Sequence, residues 1–146
     1  MVKRPSIIKI IIVDYVAWFA SLFPPIMWGI YLLLVALKNI PPFDITFPAI
    51  SLAVTVISLI VLTWRIRQVF ALLSDGLEMS ATISNVSFFR DRGRVDYIYN
   101  YQGQKYASGN AIHKVKLTKN LKIGDEVIVV VDRNNPKRAY IRDLYT

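Results

Sequence analysis

Two long apolar runs dominate the first half of the chain. No charge falls between Tyr15 and Leu37 or between Ile45 and Trp64. At 1.5 Å per helical residue these runs reach roughly 34 and roughly 30 Å, against a hydrocarbon core of about 30 Å. Both qualify as membrane-spanning helices, with Asp14 at the edge of the first. Ile66, Val69, Phe70 and Leu73 continue the second at helical spacing until Ser74-Asp75-Gly76 supplies a stop. After Gly76 the period changes to two. Alternation runs from Met79 toward Ser87 and again along Val95, Tyr97, Tyr99 and Tyr101, and Gln104 to Ser108 pairs back across a tight Gln102-Gly103 turn. A less regular stretch covers 109–122. Val127 to Val131 is a β-branched run of the kind that fills a central strand, and Ala139-Tyr140-Ile141 is a last short one. The pattern predicts a membrane α-helical hairpin of two transmembrane helices followed by a small all-β barrel or sandwich of about five strands. Its divisions are an N-terminal tail over 1–14, the hairpin over 15–64, a helical stalk over 65–76 and the β-domain over 77–146.

Composition sharpens the division. Of the 28 charged side chains, 20 lie in the last 72 residues, and the mean hydropathy of the chain is +0.40. A single soluble enzyme domain and a disordered chain are both excluded. Cysteine is absent, so no disulfide or thiolate site exists, and the single histidine, His113, cannot build a zinc site without several carboxylates. Lys3, Arg4 and Lys9 precede the first run and Arg65 and Arg67 follow the second, while the turn between them offers only Lys38 balanced by Asp44. By the positive-inside bias both ends and the β-domain lie in the cytoplasm of an inner or plasma membrane. A cleaved leader fits less well, because Asp14 interrupts the run and the apolar stretch is too long. Pro41 and Pro42 stiffen the outer turn.

Within the hairpin, Pro24 and Pro25 remove backbone donors and predict a kink whose freed carbonyls are covered by the second helix. Ser51, Thr55 and Ser58 fall on one face of that helix, with Ala49 and Ala53 as a small-xxx-small pair nearby. Such residues let helices approach closely, so this face is expected to pack near Ser21 or Gly29 of the first helix, or against another copy. Each hydroxyl can equally bond its own preceding turn. No ionisable group lies inside either span, which argues against an autonomous transporter.

Three features of the second half carry a resemblance. They are the opening strand Ala81-Thr82-Ile83 directly after a membrane helix, the aromatic hairpin Val95 to Tyr106, and a close comprising Ile123-Gly124-Asp125-Glu126-Val127, then Asp132, Asn135-Pro136 and Ala139. Together they resemble the small membrane proteins grouped as domain of unknown function 3592, over roughly Gly76 to Ile141. Members often carry a further membrane helix after the β-domain, and Val131 stands where a tyrosine is more usual. The resemblance implies a fold and a membrane setting but no established activity, so it transfers no catalytic residues. The motif itself reads as structural. Gly124 allows a positive backbone dihedral, Asp125 can bond the backbone that follows it, Asn135-Pro136 fixes a turn, and Ala139 is small enough to close a barrel.

Lys114, Lys116, Lys119 and Lys122 fall within nine residues. Beside an anionic leaflet they would be drawn to its headgroups, whereas on an edge strand they would block edge-to-edge pairing. Tyr97, Tyr99, Tyr101 and Tyr106 can form a base-stacking platform or a core with hydroxyls at its rim; a β-domain tethered to a membrane with a net charge of only +4 argues against nucleic acid. His113 reads as a surface residue. No phosphate loop, nucleophile elbow, metalloprotease helix or paired-carboxylate motif occurs. No catalytic, cofactor or metal site is therefore expected. The expected role is a non-catalytic interaction or scaffold module, an accessory subunit of a membrane complex or a homo-oligomer, with the bilayer and a protein as partners. The alternative is an oligomeric channel lined by Ser51, Thr55 and Ser58.

Overall fold

A computed structural model describes residues 5–38, 41 and 44–146. The basic start at Lys3 and Arg4, and most of the outer turn with Pro42, lie outside the described residues. A short helix α1 (Ile7–Val13) leads into α2 (Tyr15–Ala36), which runs antiparallel to α3 (Thr46–Asp75). Both long helices are long and apolar enough to cross a membrane, and only 6% and 11% of their apolar windows are buried inside the protein. That degree of exposure separates them from the core helices of a soluble domain. Their apolar surface needs a cover that the fold does not supply.

Five strands follow: β1 (Leu77–Phe89), β2 (Arg92–Tyr101), β3 (Gln104–His113), β4 (Glu126–Val131) and β5 (Ala139–Ile141), with one-turn helices α4 (Lys116–Lys119) after β3 and α5 (Arg142–Tyr145) after β5. They form one antiparallel sheet in the order β3-β2-β1-β4-β5. The β2–β3 turn has positive φ at both Gln102 and Gly103, the geometry that matches strand twist in two-residue hairpins. The turn before β4 docks on a register shift in β1, where Ile83 exchanges backbone bonds with Gly124 and Asp125. Gly124 has φ +91°, so this turn depends on glycine.

The sheet curls until its edges β3 and β5 nearly meet, and side chains close the gap. The Tyr97 hydroxyl donates to Ala139 O (2.6 Å), and Asn110 Nδ2 donates to the same carbonyl (3.0 Å). Ser108 Oγ donates to Lys137 O (2.9 Å), and the Tyr99 hydroxyl donates to Pro136 O. Tyr97 and Tyr99 are thus buried members of the barrel seam. The stacking platform is not formed.

Two expectations change here. Within the segment read as a tail, Ile7–Val13 form a helix that joins the core, with Ile10 and Val13 fully buried in one cluster with Ile112, Val129 and Tyr145. The stalk is continuous with α3, yet it is no spacer, because Val69, Leu72 and Leu73 are buried in the same cluster. A domain of about 70 residues buries little surface alone. This one completes its core with α1, the first turn of α2 and the end of α3.

Burial pushes the Tyr97, Tyr99 and Tyr145 hydroxyls above the ordinary tyrosine range. These groups stay neutral in the fold while the unfolded chain ionises near pH 10. Their contribution is complete below about pH 10 and is lost as pH rises further through the folded values. Denaturant unfolding as a function of pH, alongside phenolate absorbance, is expected to give stability falling above about pH 10 while these three tyrosines titrate last. Tyr97 and Tyr99 titrating in the ordinary tyrosine range would contradict the seam.

Candidate functional site at the junction of hairpin and barrel

Asp14 sits between α1 and α2 in an extended conformation and is fully buried. Its N–H closes α1 on Ile10 O (2.9 Å), and its Oδ1 opens α2 by accepting from Val16 N (3.1 Å) and Ala17 N (3.0 Å). Its backbone also bridges to Ile112 of β3. From α3, Arg65 donates Nε to both carboxylate oxygens (3.1 and 3.0 Å) and Nη2 to Oδ2 (2.6 Å). The guanidinium is itself mostly buried and lies 5.3 Å from the centre of the Tyr140 ring. One carboxylate therefore ties together α1, α2 and α3, and its arginine reaches β5. Beside it the Tyr145 hydroxyl is buried with no partner among the described residues, and its ring meets Tyr140 edge-on. A cleft of about 370 Å³ opens over Arg65, Asn110, Arg138 and Tyr140. Every oxygen of Asp14 is already engaged, so the pair holds elements together and leaves no free base. Among the described residues no cluster of three or more histidines and carboxylates could hold a metal.

The hydroxyl face of α3 lies where the spacing puts it. Ser51 and Ser58 are buried, and Thr55 accepts the indole N–H of Trp28 in α2 (3.1 Å). Ser51 and Thr55 also donate to the preceding turn, to Phe47 O (2.9 Å) and Ser51 O (2.7 Å). The two readings of this face are one arrangement: the same hydroxyls bond back and pack across. Trp28 was missed, because an indole in an apolar run gives no periodic signal. Ala49, Ala53 and Gly29 are exposed, so the small-residue pair takes no part in the contact between α2 and α3. Pro24 and Pro25 stay inside one helix that continues to Ala36, with Pro24 half-buried and Pro25 exposed. The expected cover by α3 is thus partial.

The lysine stretch is not an edge strand. Strand β3 runs to His113, and Lys116 and Lys119 lie on α4, where Thr118 is buried and caps the turn through Val115 N (2.9 Å) and His113 O (2.8 Å). Lys114 precedes α4 and bonds Asp91 O through its N–H (2.8 Å). Lys122 belongs to the next turn, where its N–H donates to Asp125 Oδ2 (2.8 Å). Asp125 therefore bonds the backbone before it, where a bond to the following backbone was expected. Asn135 O accepts from Arg138 N (2.8 Å), which makes the Asn135-Pro136 turn. His113 is a joint residue: its ring stacks on Trp18 at 4.2 Å, with Nδ1 3.3 Å from Ile12 O.

Residues 79–145 match the family model described as "Domain of unknown function (DUF3592)". The match begins within β1 and ends in α5, so it covers the barrel and excludes the hairpin. No curated protein and no solved structure matches the chain.

Asp14→Asn keeps a capping acceptor but strands the Arg65 charge, and Arg65→Met strands the carboxylate. Each is expected to cost about 3–5 kcal/mol, with much of the loss recovered in the double variant. Denaturant unfolding in mild detergent checks this. Two single losses that simply add would show that the groups are not coupled.

Proposed function

We propose that this chain is a non-catalytic, membrane-anchored interaction module. It serves as an accessory or assembly subunit of a membrane complex, or as a homo-oligomeric scaffold. The hairpin lies in an inner or plasma membrane with the barrel and both ends on the cytoplasmic side, in keeping with the basic residues at both hairpin ends. The observation that carries the reading is the Asp14–Arg65 junction with its shared core. A barrel fixed rigidly to its anchor holds its outer surface at a set height and angle, which suits a module that presents a surface. The lipid-facing side supports the same reading. Ala49, Ala53 and Gly29 stay outward and uncovered, and small outward residues are what a second transmembrane helix packs against.

The channel reading draws no support from the hydroxyl face. Ser51 and Thr55 are engaged inside the hairpin, with Trp28 and with their own helix, and Ser58 is buried.

The chain has no native cysteine, so single-cysteine variants report cleanly. Ala53→Cys in native membranes is expected to crosslink under mild oxidation, either to itself or to one defined protein. Gentle extraction is expected to give a particle larger than one chain. A strictly monomeric particle with no crosslink would overturn the proposal.

A further inference from the structure

In the β-domain three large apolar side chains are exposed among the described residues: Phe89, Leu117 and Ile123. Two of them lie on one rim. Phe89 ends β1 at the β1–β2 tip, between Arg90 and its strand partner Arg92. Leu117 projects from α4 between Lys116 and Lys119, all three exposed, while Thr118 faces inward. The tip and α4 are joined, because Lys114 N bonds Asp91 O (2.8 Å) and Lys114 Nζ lies over the Phe88 ring at 5.7 Å.

The height of this rim is set by two contacts to the start of α2. The Arg92 guanidinium lies 5.6 Å from the centre of the Tyr15 ring, and His113 stacks on Trp18. Tyr and Trp at the first turn of a spanning helix sit at headgroup level. The rim is therefore held at that level, with basic side chains and two apolar tips. Helix α1 extends the same zone. Its inner face is buried, yet Ile7, Ile8 and Ile12 face outward at 52%, 69% and 43% exposure, and Ile12 adjoins His113. Through His113, Ile12 lies close to Trp18, so this outward apolar face continues the aromatic belt.

We propose that α1, the β1–β2 tip and α4 form a collar that docks on the anionic leaflet, with Phe89 and Leu117 among the acyl glycerols and the basic side chains on phosphate. The proposal rests on the membrane-anchored reading and specifies what its barrel touches. A lipid surface fits better than a protein here, because the collar is continuous with the belt of the anchoring helix itself.

The test uses the full-length chain in nanodiscs, with a fluorophore on Leu117→Cys and an aqueous quencher. The discs are phosphatidylcholine alone, or equal parts phosphatidylcholine and phosphatidylglycerol. Quenching at position 117 is expected to be at least about fivefold weaker in the anionic discs, since a single basic residue at an anionic surface contributes about that factor and the collar holds several. High salt is expected to restore it without any further substitution, and Lys116→Glu with Lys119→Glu to restore it at low salt. A label on Ile57→Cys separates the two readings. If it is quenched in every disc, the anchoring fails. If it is protected while position 117 is quenched equally in both discs and at any salt, the collar proposal alone is overturned.

Discussion

A charged pair placed where apolar helices meet a protein core is the constraint on which this fold depends. Asp14 and Arg65 are 51 positions apart and are removed from water together. Neither can be buried alone without a cost of several kcal/mol, so α1, α2 and α3 are held in the one register that joins them. The pair need not add net stability over an apolar replacement; its effect is to make other registers expensive. Because Asp14 also closes α1 and opens α2, the turn between those helices is fixed by the same carboxylate.

That register lets a small β-domain exist. Five strands alone leave a gap in the barrel wall where β3 and β5 approach. The seam is closed by tyrosine, asparagine and serine side chains that donate to β5 and to the turn before it. The core is completed by Ile10 and Val13 from α1 and by Val69, Leu72 and Leu73 from α3. The hairpin is thus both the anchor and part of the core. A family model that begins within β1 captures the sheet but omits the helices that complete it.

Much of this was legible in the sequence, for reasons of range. The two spans, the continuation of α3 to Asp75, the strands and the Gly124 turn follow from local periodicity or from one residue's backbone freedom. So does the hydroxyl face of α3. What escaped depends on contacts between distant segments. Asp14 read as the edge of a span and Arg65 as an orientation signal, and nothing local says that they pair. The last part of β3, after Ser108, was missed because Gly109 and Asn110 have no strand preference. Asn110 is there because it bonds across the seam, and a Cβ at position 109 would press on the Asp96 carboxylate and on Val95 O. Helix α1 was hidden by its basic surroundings, and its core role appears only once the barrel gives Ile10 and Val13 something to cover.

The Asp14–Arg65 junction and the shared core are expected to make hairpin and barrel move as one body. Two spin labels test it, one on Ile60→Cys, which is exposed on α3 within the span, and one on Lys105→Cys at the far end of β3. In bilayer discs the distance between them is expected to form a single narrow distribution. A broad or multiple distribution, with both halves still folded, would mean that the barrel swings on its anchor and that the Asp14–Arg65 junction does not hold it.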